Sequence, residues 1–222
     1  MLRRVQAALV ARFGRVVRPA DKRRSPEWTL VQGLVGAQTK TARSNASTDT
    51  LLATYGTWDA VADAEVEQLA ALLHLQTFPD MSARRLKTCL LAIRARCRAV
   101  DLSQLAAIET AAAMDWLEAL PGVARKISAQ VVNTSTLDRP AMVIEGHHRR
   151  IMQRMGLVPP RADTTRCYDE LMPVLPPEWS GADMDEHHLL LKQLGQSFCR
   201  PRQADCPACP LRADCQVAPR GP

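Results

Sequence analysis

The chain has 222 residues, 46% hydrophobic and 23% charged, proportions that suit a folded globular protein and argue against a disordered one. No uncharged apolar run approaches the roughly 18 residues of a membrane span. The basic start, MLRRVQAALVARFGRVVR, lacks the apolar core of a secretory leader, so a cytoplasmic protein with reduced thiols and no membrane partner is expected. The formal charge is +6 and its excess is local: residues 1–24 hold eight cations against Asp21 alone. Such an arm suits a polyanion, or is the solvated face of an amphipathic helix.

Aromatic residues are only 4% and helix formers such as Ala, Leu and Arg dominate, which predicts an all-α fold. In chain order, helical apolar spacing runs through Leu30–Leu34–Val35, Val66–Leu69–Leu73, Leu86–Leu90–Ile93, Met114–Leu117–Leu120 and Ile127–Val131–Val132. It continues through Ile144–Ile151–Met152–Met155, Cys167–Leu171–Met172 and Leu189–Leu190–Leu194. Pro and Gly pairs punctuate these segments, Asp163 reads as an N-cap and Pro173 as a limit to the helix that follows it. Cys89 and Cys167 fall on apolar helix faces and Cys97 near a helix end, where core or boundary thiols are expected.

The stretch TAAAMDWLEALPGVARKISAQVVNTS, residues 110–135, reads as helix, tight hairpin, helix. Pro121 stops the first helix, and Gly122 is free to take a positive φ. Backbone N–H groups of Gly122, Val123 and Ala124 then gather at the positive end of the second helix, a cradle for phosphate with Arg125 beside it. Lys126 is one of five lysines against twenty-four arginines, and it lies in the first turn of that helix. The helix dipole and Arg125 both disfavour its protonation there, which is the direction a nucleophilic amine requires.

LPGVARKISA at 120–129, VIEGHHRRIMQRMGLV at 143–158 and CRPRQADCPACPLRADC at 199–215 together resemble the endonuclease III family, the helix-hairpin-helix DNA glycosylases of base excision repair. LVGAQTKTARSN at 34–45 is similar to that family's Ser-Ala-Gln-x-Thr helix, and HHLLLKQLGQSFC at 187–199 to the segment entering its first cluster cysteine. The resemblance implies two helical domains with DNA in the groove between them. A helical barrel spans 26–136, and a discontinuous iron–sulfur domain is made of 1–25 and 137–222.

By the same resemblance, Cys199, Cys206, Cys209 and Cys215, spaced Cys-x6-Cys-x2-Cys-x5-Cys, bind a [4Fe–4S] cluster. A structural zinc also accepts four thiolates, but usually through two Cys-x2–4-Cys pairs, and this tract has one. Lys126 would attack C1′ of a flipped-out nucleotide and nick the strand by β-elimination, and Glu145 would take the place of the family's Asp. Gln38 would enter the duplex, with Phe78 or Met81 as a second wedge, while Arg200 and Arg202 would grip the DNA backbone. His147 and Arg150 match family positions that read as structural. The implied protein is a monomeric glycosylase and abasic-site lyase acting on double-stranded DNA with damaged bases, chiefly oxidised pyrimidines, or abasic sites. Glu145 in place of Asp also leaves open a lesion-binding protein with weak or lost catalysis, and the shared hairpin a glycosylase for alkylated or mismatched bases.

Overall fold

The computed structural model describes residues 1–218, and they form helices, short 3-10 turns and loops, with two isolated bridges in place of a sheet. The helices are α1 (Leu2–Phe13), α2 (Pro26–Val35), α3 (Thr41–Tyr55), α4 (Trp58–Asp63), α5 (Val66–Leu72) and α6 (Pro79–Cys97). They continue with α7 (Thr110–Glu118), α8 (Arg125–Thr134), α9 (Gly146–Met155), α10 (Thr164–Leu171) and α11 (Gly181–Ser197). Among the described residues no helix is long and apolar enough to cross a membrane. The chain divides into two compact units, one of Arg23–Leu137 and the other of Met1–Lys22 with the residues from Asp138 on.

In the Arg23–Leu137 unit the apolar faces of α2, α6 and α8 meet in a core that includes Leu30, Leu34, Leu86, Leu90, Ile127 and Val131. Gly33 allows the close fit of α2 on α8: a Cβ there would stand 3.0 Å from Ile127 Cγ2. The Ser and Thr residues ahead of α2 and α4 cap them. Ser25 accepts from the Trp28 N–H ahead of Pro26, and Thr57 from that of Ala60. Helices α3 and α4 were not among the segments marked by periodicity. The buried positions of α3 are mostly hydroxyl residues, Ser44, Ser47 and Thr48 beside Leu51, so its inner face is not apolar in sequence.

The other unit is built around α9, α10 and α11, and α1 packs into its core with Leu2, Val5 and Leu9 fully or nearly buried. Asp163 caps α10 through the Arg166 N–H at 2.8 Å, and Pro173 lies in the 3-10 turn that ends it. Four of the eight cations of the basic arm pair with distant acids of the same unit. Arg3, Arg4, Arg15 and Arg18 pair with Glu178, Asp214, Glu186 and Asp185, each at 2.7–2.8 Å. Asp185 and Glu186 are buried, so these cations serve acids that the core of α11 could not hold unpaired. Arg12 lies over the rings of Phe13 and Phe198. These four pairs anchor α1 and its extension.

Candidate active site and cysteine loop

The hairpin begins where α7 ends at Glu118, two residues before the Leu120 expected from its pattern. Gly122 has φ 79°, the left-handed conformation its position requires, and the Arg85 side chain lies across it. The Val123 N–H is used within the turn by the Leu120 carbonyl at 3.2 Å. Those of Gly122 and Ala124 have no hydrogen-bond partner among the described residues, and Ala124, at the N-cap of α8, offers no side-chain acceptor. The cradle is thus narrower than three N–H groups, but its helix end is open to an external anion.

Arg125 turns back into the hairpin. Its Nε donates to Glu118 Oε1 at 2.7 Å, and Ser128 Oγ donates to the same oxygen. With about a fifth of each side chain exposed, the pair clamps the end of α7 to the start of α8. Lys126, half-buried, follows in the first turn.

Gln38 is exposed in the turn after α2 and has φ 54°, a strained value for a residue with a side chain. Its carbonyl accepts from Thr77 Oγ1 at 2.9 Å, and Thr39 Oγ1 accepts from the Thr77 N–H at 3.1 Å. These bonds latch the Gln38 turn to the loop before α6, where Leu75 and Phe78 stand exposed, with Met81 exposed in the first turn of α6. Arg85, one helical turn beyond Met81, reaches the Gly122 hairpin. Gln38 is thus joined through Thr77 to the segment that carries Phe78 and Met81, and Met81 through Arg85 to the hairpin, all within one unit. Thr77, as the latch, carries no signal of this role in the sequence.

Glu145 is the N-cap of α9: its Oε1 accepts the N–H groups of His147 at 2.9 Å and His148 at 3.2 Å. The helix expected to begin near Ile144 starts after this cap instead. Beside it Arg150 binds the Cys199 carbonyl through Nε and Nη2, at 3.0 and 2.6 Å, and touches the Gly195 carbonyl and His147 Nδ1. Arg150 so ties the start of α9 to the entry of the cysteine loop. His148 is fully buried with Nδ1 toward the Val143 carbonyl, and burial lowers its pKa to about 4.

Cys199, Cys206, Cys209 and Cys215 line one cavity of about 210 Å³ with Phe198 and Arg154. Arg154 donates to Cys199 Sγ at 3.2 Å and to the carbonyls of Arg200 and Pro201, while the Cys215 thiol reaches the Arg154 carbonyl at 3.6 Å. Among the described residues no three His, Cys, Asp or Glu side chains converge closely enough to hold a single metal ion. Arg200 and Arg202 are exposed, Arg200 with its Nε on the Gln196 carbonyl and Arg202 with no partner among the described residues. The other thiols are structural: burial raises the pKa of Cys89 to about 12 and also raises that of Cys167. Cys97, at the end of α6, accepts from Gln104.

Comparison with known proteins agrees with this geometry. Residues 31–177 match the model of the HhH-GPD superfamily of base excision DNA repair proteins. Endonuclease III of Rickettsia conorii is 27% identical over 187 residues, covering 84% of this chain and 81% of its own. The rice protein ROS1A is 25% identical over 214 residues, which make up 89% of this chain but only 10% of that much longer protein. Among solved structures, an endonuclease III bound non-covalently to DNA shares the fold with a TM-score of 0.77 at 22% identity, covering 97% of this chain and 94% of that one. A thermostable thymine-DNA glycosylase does so with a TM-score of 0.73 at 15% identity, covering 97% and 93%. The matched segment includes the hairpin, Lys126 and Glu145, and the chain belongs to the HhH-GPD superfamily of base excision DNA repair proteins.

Proposed function

We propose that the protein is a DNA glycosylase with abasic-site lyase activity, removing oxidised pyrimidines from duplex DNA. The observation that carries this reading is Lys126 in the first turn of a helix whose N-terminal N–H groups have no side-chain cap. An open helix end draws a backbone phosphate, and the bound phosphate brings the neighbouring sugar to the amine.

The Lys126 amine attacks C1′ of an extruded nucleotide, forming the N–C1′ bond as the glycosidic bond breaks and its electron pair leaves on the base. The Glu145 carboxylate balances the positive charge that develops on the sugar and accepts the proton lost by the amine. The C1′–O4′ bond then breaks as Glu145 returns that proton to O4′, leaving a protonated imine; Glu145 takes the C2′ proton, and the 3′ C–O bond breaks with its electrons on the departing phosphate. Gln38 and either Phe78 or Met81 occupy the space left by the base, the exchange that base extrusion requires. Gly122 and Ala124 N–H groups, with Arg200 and Arg202, hold the phosphates.

The four cysteines fit a [4Fe–4S] cluster. All four line one cavity, and their single Cys-x2-Cys pair departs from the two such pairs a structural zinc usually takes. When bound, the cluster cross-links the loop that presents Arg200 and Arg202. Purified protein should be brown, and its visible absorption should fall when Cys206→Ser and Cys209→Ser are introduced together.

A second reading, lesion binding without turnover, draws on the engagement of Glu145 Oε1 by its own helix. An incision assay across modified bases separates the two: strand cleavage at oxidised pyrimidines supports the enzyme, while tight binding with no cleavage of any substrate supports the binder.

A further inference from the structure

A chain of buried amides runs from the helix after the Gln38 turn to the helix that carries Lys126. Ser44 Oγ lies 3.0 Å from the Thr41 carbonyl, Gln32 Nε2 2.8 Å from Ser44 Oγ, and Gln130 Nε2 2.6 Å from Gln32 Oε1. Ser44 and Gln32 are buried and Gln130 is half-buried. The direction of the chain follows from its first link. A carbonyl can only accept, so the single Ser44 hydroxyl proton goes to Thr41 and Ser44 must accept from Gln32. Gln32 is then left with its oxygen toward Gln130, and Gln130 must donate to it. Each amide is oriented by the one before.

The result is a carboxamide at position 130 whose nitrogen is held and whose oxygen makes no hydrogen bond among the described residues. Lys126 and Gln130 are four residues apart on α8 and so share one helix face. The anchors Gln32 and Ser44 stand on α2 and α3, the helices on either side of the Gln38 turn. A fixed acceptor thus stands one turn from the candidate nucleophile, tethered to the elements that flank the candidate wedge.

We propose that Gln130 Oε1 is a specificity-determining acceptor that reads an N–H of the extruded base, and that Gln32 and Ser44 are the positioning residues that aim it. This rests on the glycosylase reading of Lys126. The substrate class it selects is a pyrimidine-type base retaining an N–H on its pairing edge, over the same base with that hydrogen replaced by methyl. An aimed acceptor rejects the methylated base twice over, through the lost bond and through steric exclusion.

The test uses single-turnover excision from duplexes carrying a ring-saturated uracil or its N3-methyl counterpart, with nicking of a preformed abasic site measured in parallel. The wild-type protein is expected to favour the N3–H base about tenfold, the worth of one ordinary hydrogen bond. Gln130→Leu should bring that ratio close to one and lower excision of the N3–H base more than it lowers abasic-site nicking. Gln130→Ala, the better helix former, repeats the test should leucine crowd the site. An unchanged ratio in the variants, no preference in the wild type, or excision and nicking falling in proportion would overturn the proposal. A wild-type protein that forms no borohydride-trapped adduct with abasic DNA defeats the Lys126 reading itself, and that is seen without any variant.

Discussion

Two helices carry the candidate catalytic side chains, and their N-termini are finished in opposite ways. Helix α8 begins at Ala124 with no side-chain cap, and the Gly122 and Ala124 N–H groups are left without partners among the described residues. Helix α9 begins at Glu145, whose own carboxylate takes the N–H groups of His147 and His148. An uncapped end costs about 1 kcal/mol of stability and keeps its positive field for an external anion; a capped end gains that stability and has neutralised the field. The difference teaches that Lys126 and Glu145 are prepared for different partners. In the proposed reading the backbone ahead of Lys126 receives phosphate, while Glu145, with one oxygen fixed by its helix, turns the other to developing positive charge.

The α9 side is the easier to break with acid. His148, beneath the cap, is fully buried with its pKa lowered to about 4, and burial lowers His187, 5.7 Å away ring to ring, well below its ordinary value. In the unfolded chain both titrate near pH 6.5, so between about pH 6.5 and 4 the unfolded state binds more protons and stability falls as pH falls. His148 alone should remove about 3 kcal/mol across that window, with no loss above it. Chemical denaturation at pH 7 and pH 4.5 measures this, and His148→Gln should flatten the dependence.

Glu145→Gln tests whether the cap and the charge are separable. The amide keeps an oxygen for the His147 and His148 N–H groups, so the melting temperature should barely change while excision falls about a hundredfold. A large loss of stability with unchanged excision would show that Glu145 serves only its helix. The smallest effect comes from closing the open end. Ala124→Asp supplies α8 with a cap and should raise stability by about 1 kcal/mol. It should also weaken binding to duplex DNA about tenfold, because the new carboxylate competes with phosphate. Tighter binding would contradict the phosphate role assigned to that end.

Local rules made much of this legible in the sequence. Asp163 and the Pro121-Gly122 hairpin are short-range signals and stand where the sequence put them, and the four spaced cysteines line one cavity. What stayed hidden depends on pairings across the chain. Gln130 meets Gln32 across 98 positions, and Arg18 meets Asp185 across 167, so the arm's internal ion pairs had no local trace. Glu145 was legible as a carboxylate but not as a cap, because Glu is not among the residues that usually cap a helix. Helix α3 was missed because its inner face is lined with Ser and Thr that bond back to their own helix, Ser44 to Thr41 and Thr48 to Ser44.

The most direct test is borohydride reduction of the protein mixed with abasic duplex DNA. The wild-type chain should yield a covalent protein–DNA adduct resolved by denaturing electrophoresis, and Lys126→Ala should yield none while keeping its helical signal and its affinity for the same duplex. An adduct that persists at wild-type level in Lys126→Ala, or its absence from the wild-type protein, would contradict the account.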